Sequence, residues 1–378
     1  MTAPLLSQRA LFEIPDEIAY LNAAAYVPLP RAVREAGQLG VTTKSFPWQM
    51  AASHGTEISE RTRKAAAALL GTGADNVAIT GAVSYGIATA ARNLAIARGS
   101  RVLMIEGEFP SLALVWPQLA EAAGATVEIV LRPPDADWTA ALLDAIDRPG
   151  AAPVGLAALT PLHWSDGALI DLARVVPAVQ RQGGRVVIDA TQSAGVLDLD
   201  LTALKPDFLA FPTYKWVLGP YSVAFLYVAP EHQDGMPLEN HGPARLAGSN
   251  SYSPTARRFD RGERNDPVGL PMAATGLEQV LQWDRPAIAA RLRMLTDALA
   301  EAVGDLPGLS MLPRDRRAPH ILGLRLAGGM KPGLVDRLAA RGIHVADRLG
   351  VLRVSPHVYN HEGDVAAFSA ALRAELAA

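Results

Sequence analysis

Two side chains in this sequence stand where amine–carbonyl chemistry would need them. Asp189 closes the apolar run Arg185–Asp189 (RVVID), and Gln192 follows three residues later. Lys215 stands just past a second apolar run, Phe208–Phe211, in FPTYKWVLGP, between Tyr214 and Trp216. Ligands of open α/β sheets sit at the carboxyl ends of strands, so an acid there faces a crevice. A turn or helix-cap role is the alternative for Asp189. A lysine held among aromatics has its charged form disfavoured. A neutral amine can attack a carbonyl and form a Schiff base. Taken alone, Lys215 reads better as a surface lysine with its stem laid along apolar neighbours.

The pair is more telling than either member. Asp189 and Lys215 each end an apolar strand, with one short segment between them. Pyridoxal phosphate needs this combination: a carboxylate that keeps the ring nitrogen protonated and a lysine that carries the aldehyde as an imine. Gln192 could then donate to the ring oxygen. The phosphate needs a donor cluster, and Thr80–Ala91 (TGAVSYGIATAA) reads as a turn entering a helix. Such a helix start offers free N–H groups and a favourable dipole. Ser84 adds a hydroxyl, although an ordinary cap looks the same. His163 and Trp164 follow another strand in LTPLHWSDG. They could stack on a ring or move a proton, or simply pack in the core. Arg353, inside the apolar run LRVSPHVYN, needs an anion. A substrate carboxylate held bidentately would serve, as would a structural salt bridge.

The rest of the chain must position these groups. It has 378 residues, 49% hydrophobic and 19% charged, which suggests about two domains with ample core. Its 35 basic and 38 acidic residues give a net charge of −3, so nothing electrostatic points to nucleic acid or an anionic membrane. There is no cysteine, which excludes disulfides, thiolate metal sites and a cysteine nucleophile among these residues. No metal site is expected. The first residues lack a signal-peptide pattern and no run approaches ~20 apolar residues, so the expected location is cytoplasmic.

Short apolar strands are expected at 101–106, 126–131, 154–159, 185–189, 208–211 and 223–228, with helices at 138–146 and 169–182 between them. Runs this apolar are buried on both faces, as in a parallel sheet covered by helices. The fold class is therefore α/β, a large domain with a mainly parallel sheet plus a smaller C-terminal α+β domain. Residues 231–268 read as a long loop. Helices follow at 272–283 and up to 303, with Pro286 ending or kinking the pattern. A strand–helix–strand series covers 320–354, and a last helix covers 363–376. The expected domains are 20–250, and 1–19 together with 251–378. A dinucleotide site is not expected, since no G-x-G-x-x-G follows the first strands.

These segments, in this order, resemble the class V aminotransferase family of fold-type I pyridoxal-phosphate enzymes. The resemblance runs through YLNAAAYVPLP, GAVSYGIATAA, GEFPS, HWSDG, VVIDATQSAG, YKWVLGPYSVAFLYV, RFDRGERN and LRVSPHVYN. It implies Lys215 as the Schiff-base lysine, Asp189 on the pyridine nitrogen, Gln192 near the ring oxygen and His163 stacked on the ring. It implies Ser84, the Val83 backbone and Tyr214 at the phosphate, Arg353 on the substrate carboxylate, and Asn22 and Ala23 beside the substrate. It also implies a homodimer whose subunits complete each other's sites. The phosphate contact from a neighbour is usually a threonine in GTPN. Here the stretch reads GERN, with Glu263 at that position, so Asn265 or Arg264 would take the role, or the loop has turned. Loops near Trp48, Phe109 and Asn250 would line the substrate pocket. The implied activity is on an α-amino acid, by transamination first, with β-lyase or epimerase chemistry, or cofactor binding without turnover, as alternatives. A persulfide desulfurase is excluded by the missing cysteine.

Overall fold

The computed structural model describes residues 5–239, 245–246 and 249–377. A short strand β1 (Ala19–Tyr20) precedes a seven-stranded sheet. Its strands are β2 (Val77–Thr80), β3 (Arg101–Ile105), β4 (Thr126–Val130), β5 (Val154–Leu159), β6 (Arg185–Asp189), β7 (Phe208–Pro212) and β8 (Ala224–Val228). Their spatial order is β2-β8-β7-β6-β5-β3-β4. The run from β7 to β4 is parallel, and β8 is antiparallel to both neighbours.

Side chains alternate between the two faces of a strand, and here both faces are apolar. Ile79, Leu103, Leu159, Ile188, Phe211 and Phe225 belong to one core cluster. Ala78, Met104, Ala158, Val187, Ala210 and Leu226 belong to the other. The second face is covered by the helix Val83–Asn93 through Val83, Ile87 and Ala90. Gly86 lets that helix sit close, since a Cβ there would meet Ala210 and Leu226 at 3.0 and 3.2 Å. Two faces covered by helices explain why these strands read as continuous apolar runs.

The helices His54–Leu70 and Gly269–Trp283 pack on each other. The second, placed by sequence with the smaller unit, also seats Gly276 against the Val217–Leu218 backbone beside Lys215. Asp284, at φ +67, separates it from the helix Arg285–Val303. Pro286 lies in the first turn of that helix, where its missing N–H leaves no intrahelical bond unmade.

The C-terminal part builds an antiparallel sheet from β9 (Leu309–Met311), β10 (Leu322–Leu326), β12 (Ala346–Arg348) and β13 (Val351–Val354), in the order β12-β13-β10-β9. β11 (Ile343–His344) pairs instead with β1, which ties the N-terminal segment to this part. No helix among the described residues is long and apolar enough to cross a membrane.

Candidate active site

Because β2 runs parallel to β7 across β8, the C-terminal ends of β2, β3, β5, β6 and β7 lie at one edge of the sheet, and a cleft of about 220 Å³ opens there. Gly81, Val83 and Ser84 follow β2. Glu108 and Phe109 follow β3, and Thr160 and Trp164 follow β5. Thr191 and Gln192 follow Asp189 at the end of β6, and Tyr214 and Lys215 follow β7. This is where open α/β sheets place ligands.

Lys215 is presented by a tightly stapled loop. The Thr213 hydroxyl donates to the Pro220 carbonyl at 2.6 Å, and the Gly219 N–H donates to the Thr213 carbonyl at 2.7 Å. Leu218 and Ser222 both hold φ +61, a left-handed conformation that costs a non-glycine residue about 1 kcal/mol or more. Burial lowers the Lys215 ammonium to about 7, with Arg353 and Arg348 adding to the shift and Asp189 opposing it. The amine is therefore largely available as a nucleophile near neutral pH.

Asp189 is buried at the end of β6, and its carboxylate accepts from the Thr191 N–H at 2.8 Å. Burial raises its pKa, so its ionised form needs a cationic partner in the cleft to offset that burial. Gln192 accepts from Trp216 Nε1 at 2.8 Å and donates to the Ala24 carbonyl at 3.1 Å. Its second amide hydrogen remains for the cleft. Ser84 is exposed in the first turn of Val83–Asn93, whose capping residue Ala82 is extended and supplies no side-chain bond. The N–H dipoles of that turn face the cleft lined by Val83 and Ser84. Tyr214 stacks on Tyr221 at 4.3 Å, and its ring lies 5.4 Å from Lys215 Nζ.

The structure moves one expected residue out of the site. His163 is buried and does not line the cleft. Its Nδ1 pairs with the Ser165 hydroxyl at 2.8 Å, and its Nε2 lies 3.2 Å from the Glu106 carbonyl. One ring face stacks on Trp138 at 5.7 Å. With both nitrogens engaged, His163 is a packing residue, kept neutral chiefly by burial. The ring that faces the cleft is Phe109, 5.9 Å from Lys215 Nζ, with Trp164 edge-on to it at 5.4 Å. The signal for Phe109 was present in GEFPS, directly after the 101–105 strand.

Glu108, beside Phe109, was missed. Its Oε1 accepts from the Phe109 N–H at 2.7 Å, and its Oε2 is sealed from solvent without a partner. Burial pushes its carboxyl up to about 8, with Asp189 adding to the shift.

Arg353, on β13, is almost fully buried. One of its Nη groups donates to the Trp164 carbonyl at 2.9 Å, its Nε is unpartnered, and no described carboxylate lies within 4.0 Å. Burial, with Arg348 nearby, lowers its guanidinium to about 9. Asn22 bridges to Ser355 just beyond β13, and Ala23 donates its N–H to the Ser355 carbonyl at 2.9 Å. Asn22 Oδ1 is buried without a partner. These residues meet Gln192 through Ala24. Asn265 is not at this cleft: it accepts from the Ser59 hydroxyl at 3.0 Å and lines a separate surface hollow with Lys44 and Glu263. Trp48 is exposed and outside the cleft.

A lysine poised to be neutral, a buried acid, a helix N-terminus and a buried guanidinium without an acidic partner among the described residues suit an aldehyde cofactor bearing a phosphate and an amino-acid substrate. Comparison with known proteins agrees. The chain is 26% identical over 366 residues to an uncharacterized aminotransferase of Bacillus subtilis, covering 90% of this chain and 88% of the relative. It is 24% identical over 382 residues to isopenicillin N epimerase of Streptomyces clavuligerus, covering 94% of each. Its fold superposes with a TM-score of 0.86, at 20% identity, on a C-DES mutant with glycine covalently linked to its pyridoxal phosphate, covering 97% and 98% of the two chains. The model of the family described as aminotransferase class-V matches residues 19–368, and the chain belongs to that family.

Proposed function

We propose that the protein transaminates an α-amino acid with pyridoxal phosphate held in the β2–β7 cleft. The observation that carries this reading is Lys215, a buried amine lowered to about 7 beside Asp189 on the adjoining strand end. When bound, pyridoxal phosphate supplies an aldehyde that captures amines and a ring that delocalises the electron pair left at Cα.

The chain's own residues do the rest. Lys215 would anchor the cofactor through its amine and would hold and move the substrate Cα proton. Asp189 holds the proton on the ring nitrogen. Val83, Ser84 and Tyr214 bind the phosphate, Gln192 donates to the ring oxygen, and Phe109 and Trp164 wall the ring from water. Arg353 orients the substrate carboxylate, with Asn22 and Ala23 at its border. The exposed rings of Tyr26, Tyr85 and Tyr221 near the cleft mouth support a homodimer in which 262–265 serves the partner's site.

Glu108 favours a second reading. A carboxyl that is protonated near neutral pH can donate to a leaving group or to the opposite face of Cα, as a β-lyase or epimerase requires. The absence of cysteine leaves no persulfide route on these residues.

The test is an absorption spectrum before and after borohydride, with peptide mapping. A visible band fixed onto Lys215 supports the reading. Keto-acid release without ammonia then supports transamination, and ammonia release or racemisation supports the Glu108 reading. No band after adding pyridoxal phosphate, or an adduct on another lysine, overturns both.

A further inference from the structure

The hairpin β12–β13 carries a second cation on the same face as Arg353. Its register pairs Ala346 with Arg353 and Arg348 with Val351. Directly opposed residues share a face, and so do residues two apart on one strand. Arg348 and Arg353 therefore project from the same side of the hairpin, one diagonal step apart. The turn between the strands folds beside the cleft: a Cβ on Gly107 would lie 3.3 Å from Leu349 Cδ1, and Gly107 precedes Glu108 and Phe109.

Nothing acidic among the described residues answers Arg348. It is half-buried, and one Nη donates to the Asp347 backbone carbonyl at 2.7 Å. The Asp347 carboxylate points its Oδ1 at the Gly350 N–H, 3.0 Å away, and so caps the turn. Asp166, two residues past Trp164, is already shared by Arg132 and Arg325 at 2.5 and 3.1 Å. Glu108 is held protonated by burial. Arg348 is felt as a positive charge by both Lys215 and Arg353. One substrate carboxylate matches one guanidinium fork. With Arg353 taking the α-carboxylate, a second cation on the same face is repulsive until another anion arrives.

We infer that the substrate is an amino acid with an anionic side chain, a carboxylate or a sulfinate, read by Arg348. This rests on the amino-acid reading of the site given above. Arg348 sits on a strand end braced by β13, which suits specificity better than a free loop.

The experiment uses the protein loaded with pyridoxal phosphate. Aspartate, glutamate and cysteine sulfinate are titrated against asparagine, glutamine and alanine, following the visible band. Succinate and butyrate are compared by calorimetry, a readout that needs no turnover. The expected result is a preference of about tenfold or more for an acid over its amide, and for succinate over butyrate. Ranking the three acids tells carboxylate from sulfinate and sets the side-chain length. In Arg348→Gln these ratios fall to within about threefold, and Arg348→Lys keeps part of them. Equal response to acids and amides, or ratios unchanged in Arg348→Gln, overturns the inference. A missing Lys215-fixed band overturns the cofactor reading instead, and the calorimetric ratio then still decides whether two anions bind together.

Discussion

Gln192 Oε1 accepts the indole N–H of Trp216 at 2.8 Å. An indole can only donate, so this bond fixes which end of the Gln192 amide is which. The amide nitrogen must then face Ala24 and the cleft. A site for an anionic ring oxygen needs a donor there, and Trp216 guarantees it from behind. Gln192→Glu is expected to weaken cofactor retention about 10- to 100-fold, because a carboxylate replaces a donor to a charged group. Trp216→Phe is expected to cost less, about threefold to tenfold, since the amide becomes free to turn. Equilibrium dialysis of cofactor against both variants checks the order.

Lys215 should be singled out by pH. Its ammonium is lowered to about 7 by burial and by Arg353, while an ordinary lysine stays protonated until about 10.4. Below pH 7 the amine is cationic and unreactive; above it the amine is neutral. The rate of adduct formation with added pyridoxal phosphate is therefore expected to rise through a midpoint near 7 and level off by about pH 8. Arg353→Met removes one cation, and the midpoint moves upward. Stopped-flow absorbance across pH measures both.

Asp189 and Lys215 were legible because each closes an apolar run, and the sheet brings such ends to one edge. The burial of β6 and β7 on both faces was also visible, since Ile188 and Val187, like Phe211 and Ala210, are alike apolar. β2 was not, because VAIT is only four residues long and runs straight into the Gly81 turn. His163 was misread for a related reason. A histidine after a strand looks the same whether its ring meets a ligand or Trp138, and only the long-range contacts with Glu106 and Trp138 decide. Arg348 carries no signal in the sequence; its position depends on the β12–β13 register.

Two buried histidines should make stability depend on pH. His357 lies between Trp216 and Tyr359, stacked at 5.5 and 5.6 Å, and burial lowers it to about 4. His320 donates to the Gln192 carbonyl, and burial lowers it to about 3. Both stay neutral in the fold, while the unfolded chain takes up protons below about pH 6.5. Stability present above 6.5 is thus lost as pH falls, on the order of 2 kcal/mol per histidine by pH 5. Glu108, raised to about 8, acts in the opposite direction over part of this range. The clean measurement is a difference. His357→Phe, less stable than wild type at pH 7.5, is expected to recover about 2 kcal/mol of that deficit by pH 5 in urea melts.

Arg63 and Asp260 form a fully buried pair, joined at 2.9 and 2.7 Å. Asp260 also accepts from the Ile79 N–H at 2.9 Å and from Arg264. The next residue, Arg261, donates its N–H to the Ile79 carbonyl at 2.8 Å. The pair thus pins the start of the 261–265 stretch to β2. Asp260→Ala leaves the buried Arg63 guanidinium with only the Val77 carbonyl and the half-buried Glu60 carboxylate at 3.0 Å. The expected loss is about 3–5 kcal/mol of unfolding free energy. Replacing both partners, as in Arg63→Met with Asp260→Leu, removes two desolvated charges together and is expected to restore most of it. Cofactor retention separates stability from positioning. With 262–265 serving a neighbouring subunit, the double variant regains its melting temperature but not its cofactor, because Arg264 has lost its anchor. Full recovery of both would show that the stretch has no part in the partner's site.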